Sequence, residues 1–259
     1  LQLSTSRARS KSRHLLRENA VIETLLLNLE QRDSLSDAEK DVLRSIAGRE
    51  KRFTANEDIV TEGTRPNTST MLLDGFAARY KVTPEGARQI TAIHIAGEFV
   101  DLHAFLLKTM DHGIVALSNC TVAFVDYPDL KTITEDWPHL TRLLWLDTLI
   151  HGGIHREWIV SMGRRSRTSH LAHVICELYL RLKVVGHTQG WAFHFPLSQS
   201  EMADVLGISL VHMNRVIQAL RRENLITWTK DTITILDWQR LQSVAGFDPT
   251  YLSLNAEPR

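Results

Sequence analysis

Between Gln199 and Gln218 the apolar residues Met202, Leu206, Ile208, Met213, Val216 and Ile217 recur at helical spacing, broken once at Gly207. Polar Ser209, His212, Asn214 and Arg215 fall between them and are left to point outward. The spacing predicts two short helices joined by a tight turn. Ala203 is small where the helices must approach, and Gly207 supplies the positive φ that the turn requires. Ser198 with Glu201 three residues later reads as a capping box, and Ser209 can cap the second helix. Directly afterwards Leu225–Thr229 alternates like a half-buried strand, Lys230-Asp231 makes a turn, and Thr232–Leu236 runs back. An ordinary helical hairpin needs none of these offsets. A helix-turn-helix followed by a β-hairpin is a winged helix, whose second helix is built to enter a DNA major groove.

The remaining periodicities predict a second domain. Residues 15–30 and 36–47 read as short amphipathic helices, the latter capped by Ser36 with Glu39. From Phe53 to Tyr127 short β runs alternate with turns at Glu62-Gly63, Asp74-Gly75, Pro84-Glu85-Gly86, Ala96-Gly97 and Ser118-Asn119. Strands at that interval predict a small antiparallel sandwich or roll. Pro138 opens a helical pattern that runs to about Met162, with Leu140, Leu144, Asp147, His151, Ile154, Trp158 and Ser161 on a 3.5-spaced seam. Roughly 25 residues is more helix than a globular core usually needs, so this seam is expected to meet a second copy of the chain. Polar Arg164–Thr168 reads as a hinge before another apolar helix carrying Leu171, Val174, Ile175, Leu178 and Leu182. The expected organisation is α+β: a disordered basic tail over 1–18, a β-roll over 19–136, a dimerisation helix over 137–163, a winged-helix domain over 164–245 and a tail over 246–259.

Composition changes this picture little. No apolar run approaches the ~20 residues of a membrane span, and two cysteines, Cys120 and Cys176, cannot form a disulfide framework. A reducing cytoplasm is the expected compartment. Formal net charge is zero, with 30 basic and 30 acidic residues, which would argue against a nucleic-acid partner. Its distribution argues the other way: from Arg164 to Lys230 there are nine Lys/Arg against four acids. A local excess of that kind suits a phosphate-facing surface.

The order β-roll, long helix, hinge helix, winged helix resembles the Crp/Fnr superfamily of transcription regulators over roughly residues 20–245. The resemblance is carried by Gly97-Glu98-Phe99, by Arg167–Ala172, and by Leu197–Ala203 leading to Gly207-Ile208-Ser209. It implies a homodimer on double-stranded DNA whose recognition helices enter successive major grooves of a near-palindromic site, about 34 Å apart, and action on RNA polymerase. Carried over by position, Leu210, Val211, Asn214 and Arg215 would contact bases, with His212 beside them. Arg215 suits guanine, Asn214 adenine and Val211 a thymine methyl. Ser198, Ser200, Ser209 and Arg167 would contact phosphates, which fixes register without reading sequence. Leu210 and Val211 stand where the best-known members have arginine or glutamate, so the family's usual half-sites need not apply.

The resemblance also places an effector pocket at Gly97 and Glu98. Cyclic-nucleotide-binding relatives follow this pair about ten residues later with an Arg-Ser that neutralises the phosphate. Here Lys108–Ala116 contains no arginine and does contain Asp111, which argues against cyclic AMP. The N-terminal cysteine cluster that the family's oxygen-sensing branch uses for an iron–sulfur centre is also missing, since no cysteine precedes Cys120. His151 and His155, one helical turn apart, and His94, His103 and His112 in the roll leave haem or metal open without completing a recognisable ligand set. No cofactor is therefore expected, and the effector has no named identity. The alternative reading is a cyclic-nucleotide, haem or metal sensor module whose main role is ligand binding. No metalloprotease motif, paired carboxylates or nucleophile with a base appears, so an enzyme is not expected.

Overall fold

A computed structural model describes residues 22–259. Residues 22–30 form helix α1, and α2 (Asp37–Ile46) follows, with Ser36 and Glu39 making the expected reciprocal cap. The roll is two four-stranded antiparallel sheets. One has the order β1-β8-β3-β6, from Glu50–Phe53, Cys120–Asp126, Thr68–Asp74 and Glu98–Phe99. The other has the order β2-β7-β4-β5, from Asp58–Val60, Gly113–Ala116, Phe76–Val82 and Arg88–Ile95. A short α3 (Ala104–Leu107) lies between β6 and β7, and α4 (Tyr127–Asp136) leads into the long helix α5 (Pro138–Arg164). The basic tail expected over 1–18 lies outside the described residues.

After α5 only Arg165-Ser166 separates it from α6 (Arg167–Val184), whose first turn is capped by the Ser166 hydroxyl accepting from Ser169 N–H. Strands β9 (Thr188–Gln189) and β10 (Ala192–His194) precede the helix pair α7 (Gln199–Leu206) and α8 (Leu210–Arg222). The wing is β11 (Ile226–Thr229) and β12 (Thr232–Ile235), which joins β10 and β9 in a third sheet. A last helix, α9 (Trp238–Ala245), packs on α6.

The apolar core does not stop at the roll. One cluster runs continuously from Phe76, Ile93 and Val115 of the roll through Ile154 and Trp158 of α5 into Leu171, Leu178, Met202, Met213 and Trp228 of the winged helix. A second joins α1 and α2 to β3, β8, α4 and the start of α5. The segment read as a C-terminal tail takes part as well. A 3₁₀ turn, Pro249–Leu252, buries Leu252 fully, and Glu257 N–H donates to Arg32 C=O at 2.9 Å.

The seam on α5 requires a correction. Leu140, Leu144, Asp147, His151, Ile154, Trp158 and Ser161 are all buried within the single chain. Leu140 and Leu144 pack with α1 and α2, while Ile154 and Trp158 pack with α6 and the roll. A 3.5-spaced apolar stripe records that a face is covered, and not which chain covers it. The opposite face carries Trp145, Leu149, Ile159 and Val160 exposed to solvent. Among the described residues, no helix is long and apolar enough to cross a membrane.

Gly97 is explained by this packing. Its φ is +88°, and a Cβ there would lie 2.6 Å from the Thr24 carbonyl oxygen of α1. Both the backbone conformation and the close approach exclude a side chain. Gly97→Ala is expected to cost about 2 kcal/mol or more of unfolding free energy, measured by urea denaturation; an unchanged midpoint would show that α1 does not sit on this turn.

Candidate nucleic-acid interface and the buried network behind it

The reading head is assembled by local rules. Ser198 accepts from Glu201 N–H while the Glu201 carboxylate accepts from Ser198 N–H and O–H, closing the first turn of α7. Gly207 ends that helix at φ +63°, a left-handed conformation that costs glycine little. Ser209 then caps α8, accepting from His212 N–H at 3.3 Å. Met213, Val216, Ile217 and Leu220 bury one face of α8. Leu210, Val211, His212, Asn214 and Arg215 all lie on its exposed face. Two large apolar side chains among them, Leu210 at 49 % and Val211 at 64 % exposure, face water without an intramolecular reason. In this free state the Asn214 amide donates to its own helix at Leu210 C=O, 3.1 Å away.

The expected phosphate contacts are less uniform. Ser200 and Ser209 are exposed. Ser198, though exposed, has its hydroxyl proton committed to Glu201 at 2.7 Å, so donating to a phosphate would break the capping box. Arg167 is half-buried and donates to Leu206 C=O at 3.1 Å, fastening α6 to the end of α7. The basic excess counted along the sequence is also smaller at the surface. Arg181 is buried, and Arg165 is paired with Glu157 at 2.8 Å.

Glu98 shows the largest departure from expectation. It is 5 % exposed, and its carboxylate is gripped by Arg181 of α6. Arg181 Nε donates to Oε1 at 3.1 Å, and Nη2 donates to Oε2 at 2.8 Å and to Ile93 C=O at 2.7 Å. His94 Nδ1 and His151 Nε2 approach the same carboxylate at 3.2 and 3.4 Å. Arg181 also pairs with Glu177 at 2.8 Å, and Glu177 accepts from Trp158 Nε1 and Tyr251 O–H at 3.1 and 3.0 Å. Gly97 lies under α1, and its carbonyl accepts from Asn28. The pair assigned to an effector pocket is therefore an inter-element lock. It joins β6, α5, α6 and the C-terminal segment.

The electrostatics follow from this arrangement. Burial alone would raise Glu98, yet the Arg181 guanidinium and the two histidines hold it well below the usual carboxylate range. Burial and the charge of Arg79 push His94 well down. Burial also opposes charge on His151, but Asp147 and Glu98 outweigh it and raise that group to about 9. A second tether is shallower: Arg88 of β5 pairs with Asp204 of α7 at 2.8 Å, and Gln89 donates to the carbonyls of Asp204 and Val205.

Beside the lock, between the roll and α5, lies a cavity of about 220 Å³ lined by Arg79, Leu102, His103, Thr148, His151 and His155, among others. Arg79, on β4 and without a motif around it, went unnoticed in the sequence. It is the buried cation of this region, with Nε and Nη2 both donating to Val100 C=O, and burial lowers it to about 10. Cys120 and Cys176 are buried, and burial pushes both thiols up, away from the reactive thiolate.

A family model for a Crp-like helix-turn-helix domain matches residues 169–244, and one for a cyclic nucleotide-binding domain matches residues 50–136. The chain is 23% identical over 202 residues to the transcriptional activator protein FnrL of Cereibacter sphaeroides, covering 76% of this chain and 81% of that protein. It is 25% identical over 202 residues to the nitrogen fixation regulation protein FixK of Bradyrhizobium diazoefficiens, covering 77% and 83%. The solved structure of FixK2 from Bradyrhizobium japonicum superposes with a TM-score of 0.70 at 20% identity, covering 77% of this chain and 98% of that one.

The lock carries a pH dependence with a definite sign. His151 is held at about 9 in the folded chain against 6.5 when unfolded, so its contribution is complete below pH 6.5 and is lost as pH rises through 9. Roughly 2–3 kcal/mol is expected to disappear across that window. His94, kept neutral, acts on the other side and lowers stability as pH falls below 6.5. Urea midpoints for the wild type should therefore fall between pH 6.5 and 9, and the His151→Gln variant should fall much less there, its residual slope coming from groups such as Asp101, which burial raises to about 7. A wild-type midpoint independent of pH would contradict the assignment.

Proposed function

Because the chain belongs to the Crp/Fnr family of DNA-binding transcription regulators, we propose that it works as a homodimer reading a near-palindromic DNA site with α8 of each subunit. The observation that carries this reading is the outward face of α8. Leu210, Val211, His212, Asn214 and Arg215 are exposed together, while the other face of the same helix is fully packed. Arg215 can hold guanine O6 and N7 bidentately, Asn214 can turn its amide from Leu210 C=O to an adenine, and Val211 can meet a thymine methyl. Ser200 and Ser209 supply phosphate contacts at the start of α7 and α8. The bound dimer then recruits or blocks RNA polymerase. Relatives named as transcriptional activators support the first of these two outcomes.

The dimer seam is the outward face of α5 in place of the inward one. Trp145, Leu149, Ile159 and Val160 are large, apolar and exposed; Trp145, Leu149 and Ile159 fall on one 3.5-residue stripe, and Val160 widens it. Half-buried Gly152 lies midway along this stripe, where two helices can come close. A paired α5 would hold two reading heads at a fixed separation, about 34 Å for successive major grooves.

Two measurements test this. Selection from random duplex DNA with Arg215→Ala, run beside the wild type, should lose preference at one base pair per half-site, with specific binding weakened by about 1–3 kcal/mol. An unchanged motif would remove Arg215 from the reading surface. Sedimentation equilibrium should give a dimer for the wild type and a monomer for Leu149→Glu/Ile159→Glu with unchanged circular dichroism. A dimer in that double variant would place the interface elsewhere.

A further inference from the structure

Outside the reading head and the Glu98 lock, histidines gather where the α3–β7 loop meets α5. His103 stands immediately before α3, and Asp111 and His112 immediately before β7. Donor atoms of these three residues lie within 4.8 Å of one another. The His103 and His112 rings are 5.1 Å apart between centroids. His112 Nδ1 and Asp111 Oδ1 are 2.7 Å apart. With the ring proton on Nδ1, the carboxylate fixes the tautomer and leaves the Nε2 lone pair free. This is the outer-sphere arrangement that metal-ligating histidines commonly use.

Three nitrogens in this neighbourhood are sealed from solvent and make no hydrogen bond within the protein: Nε2 of His103, His112 and His155. His155 projects from α5 into the cavity that His103 lines on the roll side. Sealed imidazole nitrogens without a partner are costly, and several together on two facing elements share one economical solution, a cation that accepts their lone pairs. Arg79 donates through Nε and Nη2 to Val100 C=O, and the carboxylates of Asp101 and Asp111 offset part of its charge here.

We propose that His103 and His112, joined from α5 by His155, bind one divalent transition-metal ion through their Nε2 atoms, with Asp111 as the outer-sphere partner of His112. Imidazole donors select zinc, cobalt, nickel or iron over magnesium and calcium. The neighbouring group of His94, Glu98 and His151 is not a competing site, because Arg181 already holds its carboxylate through Nε and Nη2. An ion here staples the α3–β7 loop to α5, the helix that leads into the reading head. That coupling rests on the proposed DNA-binding function; the site itself does not.

The test uses the full chain, stripped with chelator and titrated with Co²⁺ while visible absorption is recorded. One Co²⁺ per chain with d–d bands, displaced by Zn²⁺ and unaffected by Mg²⁺, is the expected result. His103→Gln, His112→Gln and His155→Gln should each weaken Co²⁺ at least tenfold, whereas His187→Gln on the surface should leave it unchanged. Full retention in the His103→Gln/His112→Gln double variant, or no stoichiometric uptake by the wild type, would overturn the site. Pulsed EPR of wild-type protein with one Cu²⁺ per chain gives a reading independent of whether variants fold. Two or more coordinated imidazoles are expected, and fewer would overturn the assignment. Neither readout involves DNA, so failure of the DNA-binding proposal would leave the metal result standing, and the reverse also holds.

Discussion

A carboxylate and a guanidinium removed from water must find each other, and in this chain the pair is Glu98 and Arg181, one from the roll and one from the helix that supports the reading head. Both are almost fully buried, at 5 % and 4 % exposure. Left alone, either would cost several kcal/mol. Paired, they fix how α6 lies on the roll, because Nη2 of Arg181 also binds the Ile93 carbonyl of β5. From α6 the constraint spreads outward. Glu177 passes it to Trp158 on α5 and to Tyr251 in the C-terminal segment, and the apolar face of α6 supports α7, α8 and the wing. The ion pair sets direction, and the surrounding apolar core supplies most of the cohesion.

This arrangement connects fold to function. The roll and the winged helix share one continuous hydrophobic cluster, so the reading head is no loosely tethered module. Movement of α5 or of the loop after α3 is transmitted through packed side chains, and Arg88 with Gln89 touches the end of α7 directly. Meanwhile the face of α8 that would meet DNA takes no part in these contacts. Stability and recognition thus occupy opposite faces of one helix.

The elements legible in the sequence were those decided within a few residues. Gly207 at a left-handed turn, the Ser198–Glu201 and Ser36–Glu39 boxes, and the two-residue turn at Lys230-Asp231 each follow from local backbone chemistry. What the sequence hid depends on partners far along the chain. Arg181 counted as one more surface charge, because nothing near it announces Glu98, 83 positions away. The α5 stripe showed correctly that a face is buried, yet α1, α2 and α6 cover it, and the exposed Trp145 and Leu149 lay unremarked between stripe positions. Arg79 gave no signal at all, since a single arginine in a strand is ordinarily exposed.

The central claim is that one buried charge pair makes the roll and the reading head a single unit. A double-mutant cycle on unfolding free energy, with Glu98→Gln, Arg181→Gln and the double variant at pH 6.5, tests it most directly. Each single change is expected to cost roughly 3–5 kcal/mol, and the double variant should recover at least about 2 kcal/mol of their sum. Costs that add to within about 0.5 kcal/mol would mean that the two groups act independently, and the account of how the domains are joined would be wrong.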